Sequence, residues 1–402
     1  MSTVIEPADF MTEPEEIQEF RRQVRDFVDK EVRPRVAAND RADAAEFDWE
    51  LIRKGHQAGL MRLIVPKEYG GLGLGVLGVA VALEEIAAAC AGTALTFGAT
   101  LLGQAPVLLS ADQQLQSRFL PLFAGDDPVL ACNGITEEDA GCDLLIPENA
   151  VHARDVMTAR RDGDSYLLNG RKRFITNAKV AEFGSIYANI EGHEGATGMT
   201  AFIVLLDSPG VTRGPVADKM GYRACLGSEL IFENVRVPAE NMVGGEGNGV
   251  HINIQQMNMA RATVAALSTG VARGAFDIAK QWCADRIQGG LPLYKHQFTA
   301  RKLAEMKTKI EASRLMYLQA AQAADTAIPA PVMQPATAKL FADQVSIEVS
   351  QEAMSLMGAR GYLREYGMEK YVRESFGARI YEGTPEVLAL AITEALYEED
   401  DF

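Results

Sequence analysis

The stretch YLLNGRKRFIT, residues 166–176, decides the architecture. Tyr166, Leu167 and Leu168 make an apolar run, Asn169-Gly170 is a turn pair, and Phe174, Ile175 and Thr176 are again strand formers. The stretch reads as strand, Asn-Gly turn, strand. Two further runs follow. AFIVLL at 201–206 stops at the turn sequence DSPG, and LIFENVRV at 230–237 is closed by Pro238. Short strands at regular intervals predict a small antiparallel barrel or sandwich over residues 129–245.

Outward from this unit the pattern is helical on both sides. On the N-terminal side Thr12 can cap a helix opened by Pro14 and Glu15, with Ile17, Phe20, Val24, Phe27, Val28 and Val32 at helical spacing. Further helices are predicted near 49–60 and 76–91. After GGEGNG at 244–249, the stretches 250–284, 295–325 and 336–357 are each long enough for a bundle helix, and the proline-bearing segment 328–335 separates the last two. The predicted domains are an all-α unit (1–128), the β unit (129–245) and a helical bundle (246–402). Helices, then strands, then helices is not the alternation of a Rossmann fold, and no G-x-G-x-x-G follows a strand. GLGLG at 71–75 has no strand before it and no G-K-[ST] after it, so it reads as punctuation between helices.

Composition narrows the function. At 402 residues the chain exceeds one compact core, and its net charge of -16 disfavours nucleic acid and anionic lipid as partners. Five cysteines without a C-x-x-C fit a reducing compartment rather than a disulfide framework. Five histidines without paired ligand spacing argue against a metal. The acidic N-terminus resembles neither a signal nor a transit peptide, and no apolar run reads as long enough to cross a membrane. A cytoplasmic protein without membrane insertion is expected.

The most unusual segment is RIYEGTPE, residues 379–386. Glu382 stands between aromatic Tyr381 and Gly383, which lets a planar group approach the backbone closely. Apolar walls disfavour the charged carboxylate and raise it toward a useful base. These residues alone leave two readings open: such a base, or a surface glutamate at a helix start.

VRESFGARIYEGT at 372–384 resembles the C-terminal signature of the acyl-CoA dehydrogenase family. GITEEDAGCD at 134–143 is similar to that family's T-E-P-x-A-G-S-D loop, and NGRKRFITN at 169–177 to its N-G-x-K-x-[WF]-I-T-N strands. DKMGYR at 218–223, FENVRVP at 232–238 and GARGY at 358–362 also match family blocks, and Arg286, Leu293 and Gln297 keep the spacing of R-x-x-F-G-x-x-L-x-x-x-Q. The resemblance runs from about residue 12 to 396.

It implies an α+β multidomain fold ending in a four-helix bundle, and α,β-dehydrogenation of an acyl-CoA with FAD. Glu382 would take the α-proton while flavin N5 receives the β-hydride. The Glu382 backbone N–H would polarise the thioester carbonyl. Ile135 and Thr136 would hold the flavin's pyrimidine side, Phe174 would pack on the ring, and Thr176 would donate toward N5. Arg286 and Gln297 of a neighbouring subunit, with Leu293, Ser355 and Gly358 nearby, would serve the FAD pyrophosphate; Thr384 and Glu386 would close its adenosine side. Cys142 and Tyr381 would also border the cofactor. Reduced FAD would pass electrons to an electron-transfer flavoprotein, and a homotetramer, a dimer of dimers, is expected. An oxidase, another flavin chemistry such as desulfination, or a non-catalytic scaffold are the alternatives; Glu382 and Thr176 argue against the last.

This chain departs from the family pattern at Cys142 for serine, Gly289 for phenylalanine and Ser355 for glutamine, and carries a longer segment, LLIPENAVHA, at 144–153. Some family members place the base one residue before the arginine that is here Arg261. That position is Ala260. For the acyl pocket the resemblance points to GTALTFGATLLGQ at 92–104, with Leu95, Phe97 and Gly98 as lining, and to Arg261, Tyr381 and Gly383. The helix has no lysine or arginine, which favours an apolar tail; a charged tail could be read by Arg223 or the 144–153 segment.

Overall fold

A computed structural model describes residues 13–41, 46–154, 156–327 and 329–398. The first unit holds α1 (Glu15–Phe27), α2 (Val36–Arg41), α3 (Trp49–Gln57), α4 (Gly75–Ala87), α5 (Ala91–Leu109) and α6 (Gln113–Phe119). Ile17, Phe20, Val24 and Phe27 form the buried stripe of α1, and Glu15, Glu16 and Arg25 suit its dipole. Thr12 lies outside the described residues; Pro14 precedes the first turn. α4 and α5 are buried on most faces. α5 is long and apolar enough to span a bilayer, contrary to the sequence reading, but 72% of its most apolar 18-residue stretch is buried inside the protein, so it is a core helix.

The second unit holds β1 (Ala131–Gly134), a short α7 (Pro147–Ala150), β2 (Thr158–Asp162), β3 (Ser165–Thr176), β4 (Phe183–Ile190), β5 (Met199–Leu205), β6 (Val211–Val216), β7 (Gly227–Pro238) and β8 (Met242–Val243). The strand order is β6-β7-β3-β2-β4-β5-β8. Pairing is mainly antiparallel, but one edge of β4 runs parallel to β1 and then to β2. The Asn169-Gly170 pair does not turn the chain. β3 is one continuous strand, and its register against β7 slips between Leu168 and Gly170. Asn169 Oδ1 accepts from the Asn234 backbone N–H at 2.8 Å, and Gly170 sits at φ +136° where a Cβ would meet Met157. The residues make a β-bulge, which needs the same backbone freedom as a turn. The turn lies earlier, at Gly163-Asp164 between β2 and β3.

The third unit holds α8 (Gly249–Asp285), a small hairpin of β9 (Ile287–Gln288) and β10 (Leu291–Pro292), α9 (Gln297–Thr326), α10 (Met333–Met357), α11 (Met368–Ser375) and α12 (Pro385–Glu398). Pro335 does not separate helices; it lies in the first turn of α10, where a missing N–H costs little. α4 lies close against α8 because Gly270 and Gly274 face it: a Cβ on Gly270 would come within 2.4 Å of the Glu84 carbonyl. At that junction Arg21, Arg273 and Arg314, from α1, α8 and α9, converge on Glu84 of α4, and the Tyr317 hydroxyl donates to it as well. Asp325 of α9 caps α4 through the Val76 and Leu77 N–H groups at 2.7 and 2.9 Å. A protein carboxylate thus occupies the place an anion would take after the GLGLG loop.

Candidate active site

Two cavities meet at Glu382. The wider, about 240 Å³, is walled by the end of β1 (Asn133, Ile135, Thr136), the end of β3 (Phe174, Ile175, Thr176), α5, α8 and the loop carrying Tyr381, Glu382 and Gly383. The narrower, about 40 Å³, runs between α4, α5 and α8 past Val79, Leu83, Gly98, Ala260 and Val264. Leu95, Leu102 and Glu382 border both.

Helical geometry delivers these walls. Asn253, Met257 and Arg261 recur every four residues and line the wide cavity from α8. Leu95 and Gly98 share a face of α5 and line the narrow one. Phe97, expected beside them, points elsewhere: it is 1% exposed, and its ring tip takes the space a Cβ on Gly55 would need, at 2.2 Å. Two positions from Leu95 is half a turn, so Phe97 belongs to the core against α3.

Glu382 has φ +55° and Phe174 φ +59°, a left-handed backbone that bulky residues rarely adopt. Both border the wide cavity. Phe174 is 66% exposed, and the Arg173 guanidinium lies over its ring at 5.3 Å from the centre. Strain held at two points of one cavity marks a site whose side-chain directions are fixed by surrounding structure. Glu382 Oε2 is buried and has no hydrogen-bond partner. Burial pushes this carboxyl up and Asp343 adds to the rise; Lys339 and Arg261 pull it down, and the balance lies at about 7. A second buried lysine braces the Ile135 side of the wide cavity: Lys172 Nζ donates to the Ile135 carbonyl at 3.0 Å and to Glu137 at 2.5 Å.

Other anticipated residues fall outside the cavities. Arg286 ends α8 and is exposed, about 37 Å of helix beyond Arg261, and Gln297 and Ser355 are exposed as well. Leu293 N–H bonds the Arg286 carbonyl, and Gly358 ends α10 at φ +60°. Thr384 is half-buried and Glu386 exposed in the first turn of α12. The Cys142 side chain lies outside the described atoms. Arg223 bonds the Asp40 carbonyl and Asp218 and lines neither cavity, so it is not placed to read an acyl tail. In the 144–153 segment, Leu144 and Ala150 are buried in a core shared by the β unit and the first helical unit, with Phe119, Phe123, Phe183 and Tyr187. Packing therefore accounts for Leu144 at the start of the segment's apolar run. Asn133, Asn253, Met257 and Lys339 were not anticipated; the four-residue period from Asn253 to Arg261 was a readable signal for the α8 face.

The acyl-CoA dehydrogenase N-terminal, middle and C-terminal domain models match residues 14–127, 132–235 and 247–397. Cyclohex-1-ene-1-carbonyl-CoA dehydrogenase of Geobacter metallireducens is 36% identical over 93% of this chain and 96% of its own length. The chain belongs to the acyl-CoA dehydrogenase family. Among solved structures, butyryl-CoA dehydrogenase from Megasphaera elsdenii superposes with TM-score 0.88 at 34% identity, covering 96% of this chain and 99% of that one. A chain from the electron transferring flavoprotein work on Acidaminococcus fermentans gives TM-score 0.89 at 33% identity, with 96% and 98% covered. The three units are thus the family's helical, β and helical domains, and this acyl-CoA dehydrogenase is an oxidoreductase acting on acyl-CoA.

Proposed function

We propose that the enzyme dehydrogenates acyl-CoA thioesters with an uncharged, apolar acyl group at the α and β carbons, with Glu382 as base and FAD as acceptor. The observation carrying this reading is the unpartnered, buried Oε2 of Glu382 at the junction of a wide mixed cavity and a narrow apolar one. The wide cavity fits a flavin: the exposed aromatic Phe174 on its wall suits a planar ring, and Ile135, Thr136 and Thr176 line the same cavity. When bound, FAD supplies the acceptor for the β-hydride at N5.

The chain's own contribution follows from Glu382. A carboxyl balanced near 7 is ionised in a useful fraction at neutral pH and still basic enough to take an α-proton. Ala260 leaves the neighbouring α8 position without a carboxylate, so among the described lining residues Glu382 has the only carboxylate in either cavity. Among the described residues the narrow cavity's lining has no lysine or arginine, which leaves a carboxylate tail unpaired and an apolar tail well accommodated. Arg286, Leu293, Gln297, Ser355 and Gly358 stand away from both cavities, in keeping with a role toward a neighbouring copy's cofactor in a homotetramer. The Acidaminococcus similarity and the family resemblance support an electron-transfer flavoprotein as electron partner.

Stopped-flow flavin bleaching with straight, branched, alicyclic and dicarboxylic acyl-CoAs tests the reading. Uncharged acyl-CoAs should bleach a yellow protein, and glutaryl-CoA should lag by about a hundredfold. Fastest bleaching by glutaryl-CoA would overturn the tail assignment; no bleaching by any thioester would overturn the function.

A further inference from the structure

Lys339 is wholly buried on α10, one layer behind the base. Its three N–H donors meet three acceptors: Asp343 Oδ2 at 2.8 Å, the Ala378 carbonyl at 2.9 Å and the Gly383 carbonyl at 3.0 Å. Asp343 is fixed in turn, because Ser268 of α8 donates to its other oxygen at 2.7 Å. The ammonium also lies 6.0 Å from the centre of the Tyr381 ring. Every contact of this lysine thus goes either to the bundle or to the segment 378–383 that carries Glu382. That segment turns through two left-handed residues, Glu382 at φ +55° and Gly383 at φ +98°. For glutamate this conformation costs free energy, so something must hold it.

We propose that Lys339 is a positioning residue: by clamping the carbonyls of Ala378 and Gly383 to Asp343 and α8, it holds the strained turn that aims Glu382 into the cavity junction. The proposal rests on the reading of Glu382 as base. The same ammonium acts on that base through its charge. The charged and titratable groups acting on Glu382 are Lys339 and Asp343 from α10, Arg261 from α8 and its neighbour Tyr381. Lys339 and Arg261 favour the carboxylate, and Asp343 opposes it. Removing Lys339 therefore loosens the turn and makes Glu382 harder to ionise. Those two losses separate experimentally: geometry lowers the rate at high pH, and charge moves the pH at which the rate appears.

The test uses the FAD-loaded enzyme and butyryl-CoA, with flavin reduction followed from pH 5.5 to 9.5. Infrared difference spectra against Glu382→Gln titrate the Glu382 carboxyl band independently of turnover. Lys339→Met should lower the high-pH rate by about tenfold or more and raise both the kinetic and infrared midpoints by about half a pH unit or more. Lys339→Arg keeps the charge but not the compact three-way fit, so its rate should fall with little change of midpoint. Lys339→Met/Asp343→Asn removes both buried charges, avoiding an unpaired carboxylate, and should raise the midpoint less. Asp343→Asn alone should lower it, and this variant decides the matter if the lysine variants do not fold. Folded variants with wild-type rate and midpoint would overturn the proposal. If Glu382→Gln itself still reduces flavin, the base assignment fails instead; if it is inactive while Lys339→Met behaves as wild type, only the positioning role fails.

Discussion

Glu84 and Glu382 are both enclosed carboxylates, and their surroundings differ in one respect. Around Glu84 each oxygen is met by arginines or the Tyr317 hydroxyl, and its carboxyl is held well below the usual range by Arg314, Arg273 and Arg21 against the cost of burial. Around Glu382 one oxygen has no partner, and its two cations only offset part of the burial, leaving it near 7. The first is satisfied and joins three helices to α4. The second is unsatisfied at a cavity wall, where a proton can come and go. Ionic satisfaction, rather than burial alone, separates a structural glutamate from a reactive one.

The sharpest way to break this comparison is to neutralise each carboxylate. Glu382→Gln should keep the fold and FAD but reduce flavin about ten-thousandfold more slowly, since general-base assistance is lost. Stopped-flow bleaching by butyryl-CoA measures this, and a rate near wild type would remove Glu382 from the chemistry. Glu84→Ala should do the reverse. It leaves Arg21, Arg273 and Arg314 with a buried charge deficit and should cost about 3–5 kcal/mol of stability, read by urea unfolding, while the surviving folded enzyme keeps its pH midpoint.

The two also have opposite pH signatures in stability. Glu84 is depressed, so its contribution is present above the unfolded value near 4.5 and is lost as pH falls through the lower folded value. Glu382 is raised, so the native state holds its proton longer and stability falls as pH rises from 4.5 toward about 7. Glu382→Gln should therefore be more stable than wild type at pH 8, by about 3 kcal/mol, and equal to it near pH 4.5. Paired thermal melts at the two pH values check the sign. A smaller effect concerns the narrow cavity. A Cβ on Gly98 would lie 3.2 Å from Leu83 Cδ1, so Gly98→Val narrows the passage. It should lower kcat/KM for octanoyl-CoA about tenfold relative to butyryl-CoA.

Much of this was readable from the chain, and the failures have local causes. The three long C-terminal helices were legible because their apolar spacing persists for many turns, and α8, α9 and α10 fall within a few residues of the predicted spans. Asn169-Gly170 misled because a hairpin turn and a β-bulge ask for the same residues; the cross-strand partner Asn234, 65 positions away, makes the choice. Phe97 misled because a consecutive quotation of residues ignores the 100° step between helix positions. The Asn253, Met257, Arg261 face obeyed that step and could have been found. Lys339 carried no signal: in sequence it is an ordinary helix lysine, and only the return of residues 378–383 reveals what it holds.

The central claim is that Glu382 is a base tuned by incomplete satisfaction, and the pH dependence of kcat/KM for the free enzyme tests it most directly. With butyryl-CoA, kcat/KM should rise with pH and reach half its plateau at about 7, because the carboxyl must lose its proton before it can take one from substrate. In Glu382→Gln this rise should vanish together with the activity. A wild-type midpoint near 4.5, the value of an ordinary glutamate, would contradict the account.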